Sequence, residues 1–427
     1  MRRKKLAISV FMISIQIVVV TILGIRLFDD KFCGLFYSIL AIYAIPTEIG
    51  YLFFSSIPKS LNTYYGTEVW WQAYWFIFLS FIMFYIGTRF FLKTKKRVGL
   101  TIVEKNVIRG GDKVIIFLLW MYSVSVLALF VLNYSDINYF NISTNGFTNS
   151  HFMVKLFINL YLLQIPITVV IVSVILHNNM LSKKYKAALK RLCVFNILSF
   201  IVYISRTGAR SALISLFIGV LIIIFLSRKM DIALLIRLLI VSVIIIIAMI
   251  SILHKRDAST LLYTNTYEKL LRQDYFFPSL NLYVSIAKEF VKPIELLKDN
   301  FLNILPGGNT EPIHFAVGKL FTNSVGTSTG FGFYIFTEGY IFAGMVGVLY
   351  NGFCIAWLLC FWRKIATTND KNFNIALLGI MSSYFFSIVR SESMYFIRNL
   401  IYIIPCMIIY SLMTNKSIKL VVFRRKE

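Results

Sequence analysis

The sequence predicts an all-α, polytopic integral membrane protein, with about 11–12 transmembrane helices and one large extracytoplasmic loop. Three observations predict it. Hydrophobic residues make up 58% of the 427 positions and charged residues only 15%, whereas soluble domains are roughly 45–50% apolar. Runs of about 20 apolar residues, long enough to cross a bilayer, recur along the whole length. The basic residues behind the net charge of +25 sit in short clusters between those runs. That distribution is the positive-inside signature and argues against nucleic acid as a partner. Continuous apolar runs also exclude a β-barrel, whose strands alternate apolar and polar residues.

The candidate spans are 6–27, 33–54, 72–92, 114–133, 153–176, 192–205, 211–227, 232–253, 332–361, 373–389 and 395–413. They divide the chain into N-terminal membrane helices (1–253), a large loop (254–331), and C-terminal helices with a basic tail (332–427), all within one membrane domain. The start, Met1-Arg-Arg-Lys-Lys before an apolar run, has no small-residue cleavage site after it and reads as an uncleaved first span. All five cysteines lie in or beside apolar runs without a CxxC pair, so they read as buried thiols.

Orientation follows from the short loops. Basic clusters occur at Lys93–Lys113, Lys183–Arg191, Arg228–Lys229, Arg363–Lys371 and Lys416–Lys426. Strict alternation from the fourth span onward puts all five in the cytoplasm. The segment Tyr134–Ser150, without Lys or Arg, then lies outside, as do the turn at Arg206 and Arg210, the loop from His254, and the turn Arg390-Ser391-Glu392-Ser393. A cytoplasmic basic N-terminus requires an even number of early crossings: either 33–58 crosses twice with a break at Pro46, or one early segment lies in the interface.

Arg206 and Arg210 flank Thr207-Gly208 at a span boundary. Snorkelling to headgroups would explain an arginine at such a place, but arginine is biased to the inner side. Two forked guanidiniums beside a helix N-terminus suit a phosphate or diphosphate better. Arg390, Glu392 and Arg398 form a second charged set, readable as a local salt bridge or as a third cation with its orienting carboxylate. Leu280–Phe301 has helical apolar spacing with Lys288, Glu289 and Lys298, expected of a helix lying on the membrane or capping a cavity. Glu311 and His314 read as a surface pair before a catalytic one.

Gly326–Gly332 leads into Tyr334-Ile-Phe-Thr-Glu338-Gly-Tyr340, then Gly344 and Gly347. A P-loop is excluded because no GK[ST] follows. The glycines suit close helix packing and a re-entrant approach. Glu338, about two turns inside an apolar run, is costly unless paired or functional, as a general base or an arginine's partner. The scattered histidines (151, 177, 254, 314) offer no metal site, and no cofactor is expected.

The turn SRTGARSAL, the run GFGFYIFTEGYIFAGMVGVLY and the Arg390–Arg398 turn before the last span together resemble Wzy-type O-antigen and capsular oligosaccharide repeat-unit polymerases, over roughly residues 195–415. The resemblance implies a metal-independent glycosyltransferase of the bacterial cytoplasmic membrane, contributing to lipopolysaccharide or capsule biosynthesis. It would join oligosaccharide repeat units carried on undecaprenyl diphosphate at the outer face, alongside a chain-length-regulating membrane protein. Arg206, Arg210 and Arg390 would hold the donor diphosphate and stabilise its departure, Arg398 would bind substrate beside them, and Glu338 or Glu392 would take the acceptor proton. Tyr334 and Tyr340 would stack on sugars, and His314 would line the substrate site. A lipid-linked glycan flippase and an O-antigen ligase are the alternatives.

Overall fold

A computed structural model describes residues 2–53, 67–93, 98–104, 111–137, 152–177, 182–207, 211–227, 279–292, 333–367, 370–414 and 416–422, with a few single positions between 298 and 320. Among the described residues, seven helices are long and apolar enough to cross a membrane, and two shorter apolar helices accompany them. The chain is a helical multi-pass membrane protein. The sequence span 232–253 lies outside the described residues.

The chain forms two interleaved compact units, so the division into three consecutive parts is not the one its packing follows. The first unit comprises 1–95, 265–363 and 385–398; the second comprises 96–264, 364–384 and 399–427.

In the first unit α1 (Arg2–Leu27), α2 (Lys31–Phe53) and α3 (Thr67–Lys93) form a bundle. Asp30 starts α2, its Oδ1 accepting from the backbone N–H groups of Phe32 and Cys33, as an N-cap carboxylate does. The Tyr74 hydroxyl donates to the Met12 carbonyl at 2.9 Å, while Arg89 pairs with Asp29 at 2.9 Å. Low numbers meet low and high meet high, so α1 and α3 run parallel. Arg2–Lys5 and Lys93 therefore lie at opposite ends of this bundle. α2 is one continuous helix through position 46, so the expected break at Pro46 is not found, and α1, α2 and α3 are the helices among the described residues up to Lys93.

The short helix α8 (Leu280–Ala287) is buried from Leu280 through Ile286. Of the two readings of 280–301, a helix lying on the membrane or one capping a cavity, the burial of α8 argues against the first, since polar Asn281 and Ser285 are enclosed along with the apolar positions. Its entry is held by the Ser279 hydroxyl donating to the Ala44 carbonyl at 3.4 Å.

The second unit contains α4 (Gly111–Leu132), α5 (Phe152–His177), α6 (Lys183–Thr207) and α7 (Ser211–Ser227). A buried polar seam joins α5 to α6. The Gln164 amide donates to Asn196 Oδ1 at 2.9 Å, and the Asn196 amide donates to Thr168 Oγ1 at 3.0 Å. Each polar atom used is one that apolar surroundings would otherwise leave unsatisfied.

β1 (Val98–Glu104) and β2 (Lys416–Val422) pair antiparallel, Leu100 opposite Leu420. This ribbon, absent from the sequence reading, holds the loop after α3 against the tail.

Candidate functional site

The stretch from Phe333 to Ile365, read above as part of a single span over 332–361, is a hairpin. α9 (Thr337–Ala343) starts partway along α3: the Phe336 ring packs 5.4 Å from Phe81, near the middle of that helix. It then runs toward the α3 N-terminus, where Tyr340 meets Phe76 at 6.2 Å. Gly344 reverses the chain with φ of +56°, a conformation that side chains disfavour. At Gly347 an added Cβ would lie 1.8 Å from the Gly339 carbonyl oxygen, so only glycine lets the limbs touch. The return limb passes through a π-turn (Tyr350–Cys354) into α10 (Ile355–Ile365). Arg363 ends it on Asp30 at 2.9 Å, at the Lys93 end of the bundle. Asn351 holds the limbs together: its Oδ1 accepts from the Gly339 N–H at 2.7 Å, and its amide donates to the Phe336 carbonyl.

Glu338, in the first turn of α9, is fully buried. Its Oε2 accepts from the backbone N–H of Ser393 at 2.6 Å, and its Oε1 from the Ser393 hydroxyl at 3.0 Å. Ser393 lies in the turn that follows α11 (Lys371–Ser383) and α12 (Phe385–Val389) and feeds α13 (Tyr395–Thr414), so the carboxylate also faces the positive end of α13. The Tyr350 hydroxyl is 3.1 Å from Ser393 Oγ. A hydroxyl has one proton to donate; with that of Ser393 given to Glu338, Ser393 accepts from Tyr350. Tyr350, Ser393 and Glu338 thus form a chain along which a proton can shift. The Glu392 carboxyl is near enough to Glu338 to act on it electrostatically.

The turn carrying Arg390 to Ser393 was expected to be exposed. It is drawn in: Glu392 and Ser393 are buried, and Phe396 packs on Phe36 at 5.7 Å. Its bonds to a buried carboxylate keep it there. The Arg390 guanidinium lies over the Phe386 ring at 5.6 Å, and Arg398 over Tyr395 at 5.4 Å. Tyr340 is almost wholly buried. Tyr334 is completely so, its hydroxyl donating to the Leu40 carbonyl at 3.0 Å. Enclosure on all sides leaves Tyr334 no free ring face, which removes it from the sugar-stacking set and makes it a packing residue.

In the second unit, Arg206 closes α6. Its Nε donates to the Ile137 carbonyl at 3.1 Å, and its guanidinium sits 4.5 Å from the Tyr134 ring centroid. The contact fixes the plane of the fork, and its two terminal nitrogens make no bond among the described residues. α7 begins at Ser211, immediately after Arg210. Arg210 and His314 themselves lie outside the described residues.

Sequence reasoning singled out Glu338 but passed over Ser393, Tyr350 and Asn351, whose residue types are unremarkable in a membrane helix. It also missed Glu48 and Gln16, although a polar side chain in an apolar run was the signal that flagged Glu338. No family model matches this chain, and no curated protein or solved structure does either.

Proposed function

We propose that this protein is a membrane glycosyltransferase that polymerises undecaprenyl-diphosphate-linked oligosaccharide repeat units into O-antigen or capsular polysaccharide at the outer face of the bacterial cytoplasmic membrane. The observation that carries the reading is the Tyr350–Ser393–Glu338 chain, built within the motif that resembles the polymerase family. In the reaction, an acceptor hydroxyl oxygen on the incoming repeat unit attacks the anomeric carbon at the reducing end of the growing glycan. The bond from that carbon to the phosphate oxygen breaks, and undecaprenyl diphosphate leaves. Glu338 takes the acceptor proton, with Glu392 as its neighbour. Arg206, Arg210 and Arg390 carry the charge that collects on the departing diphosphate.

A lipid-linked glycan flippase is the second reading, favoured by one observation: α9 is a half-helix that begins within the bundle, as helices at transporter sites do. Deleting the gene and examining surface glycan on a gel separates them. A polymerase leaves single-repeat decoration without long chains. A flippase leaves lipid-linked units stranded at the cytoplasmic face, and that result would overturn the proposal.

A further inference from the structure

A second carboxyl group lies inside the first unit, apart from the site above. Glu48 on α2 is fully buried, and so is Gln16, which lies near the middle of the apolar stretch Ala7–Leu27 of α1. The Gln16 amide nitrogen donates to Glu48 Oε1 at 3.0 Å. Two atoms are then left over, Glu48 Oε2 and Gln16 Oε1; both are buried and neither has a hydrogen-bond partner among the described residues.

Those leftovers are complementary in a specific way. A carboxyl and a primary amide each present two polar atoms side by side, and once N–H···O joins one pair, the other pair is oxygen and oxygen. Two acceptors cannot bond to each other. One proton on Glu48 Oε2 would turn that oxygen into a donor for which Gln16 Oε1 is the matching acceptor, and a single event would satisfy both orphans. The alternative is an ionised carboxylate at mid-span held by a single neutral amide, and a buried charge without a counter-ion neutralises itself. The groups acting on Glu48 do not change this balance. The titratable side chains that face it are Tyr74 of α3 and Tyr334 before α9. Their hydroxyls donate to the carbonyls of Met12 and Leu40. Among the described residues no Lys, Arg or His acts on it.

We infer that Glu48 and Gln16 form an intramembrane proton-binding site, a neutral carboxylic acid closed into a two-bond ring with an amide. The site is separate from the proton chain at Glu338 and does not depend on the polymerase reading.

Infrared spectroscopy of the full chain in phosphatidylcholine nanodiscs at neutral pH tests this directly. Subtracting the Glu48→Gln spectrum from the wild type should isolate the carbonyl stretch of a protonated carboxylic acid. Carboxylate bands in that difference would overturn the site. The Gln16→Leu variant should keep the acid band and shift it to the higher frequency of an acid that has lost its partner; an unmoved band would rule out the ring. Should Glu48→Gln fail to fold, the Gln16→Leu difference decides alone, since only an acid bonded to that amide responds to its removal.

Discussion

Arg206 shows how a single side chain can be readied for an anion. Its Nε is bound to the Ile137 carbonyl and its flat face lies on Tyr134, so the fork points in one direction before any ligand arrives. Lysine keeps the charge but has neither the plane nor the fork. We expect Arg206→Ala and Arg210→Ala to abolish polymer while leaving the protein in the membrane, read by glycan gel and membrane immunoblot. Arg206→Lys should retain a small part of the activity. Glu338→Gln should lower turnover by about 10²-fold, the usual scale of general-base catalysis, while Gln still accepts from the Ser393 N–H and keeps the fold. Separate Glu338→Ala and His314→Ala variants then discriminate between enzyme classes. Loss with Glu338 fits a polymerase, whereas loss only with His314 would point to a ligase.

Among the elements, the hairpin from Phe333 to Ile365 does most to position the site. Its geometry depends on a reversal at Gly344 and a contact at Gly347 that leaves no room for a methyl group. Asn351 satisfies one N–H and one carbonyl at the limb junction. Asn351→Leu would strand both, at about 1–3 kcal/mol each; thermal unfolding in detergent should show this as a clear loss of stability. The existence of apolar helices was legible because hydrophobic runs are a local signal. The break at Gly344 was half legible, as glycines that suggested a re-entrant approach. The partners of Glu338 were not legible at all. Ser393 is 55 residues away in sequence, and its role arises only once the α13 N-terminus packs against α9. The same holds for Gln16 and Glu48, 32 residues apart. For α8 the spacing was legible and the environment was not, because 3.6-residue periodicity does not say what covers the polar face.

At the scale of the whole molecule, helix direction predicts sidedness. Parallel α1 and α3 put the N-terminus and Lys93 at opposite ends of the first unit, and the β1–β2 ribbon ties the loop after Lys93 to the tail. The two termini should therefore lie on opposite sides of the membrane, read by protease protection of N- and C-terminal tags; protection of both from the same side would contradict the three-helix start. A Leu100→Cys, Leu420→Cys pair should cross-link on oxidation, because directly opposed antiparallel residues lie within disulfide reach. The central claim is that these elements together transfer glycans. The most direct test reconstitutes the purified chain in vesicles with an undecaprenyl-diphosphate-linked repeat unit and follows glycan length and free lipid diphosphate together. The account predicts a ladder of products with one lipid diphosphate released per bond formed, lost with Arg206→Ala and strongly slowed with Glu338→Gln. Movement of intact lipid-linked units across the bilayer, with neither ladder nor released diphosphate, would contradict it.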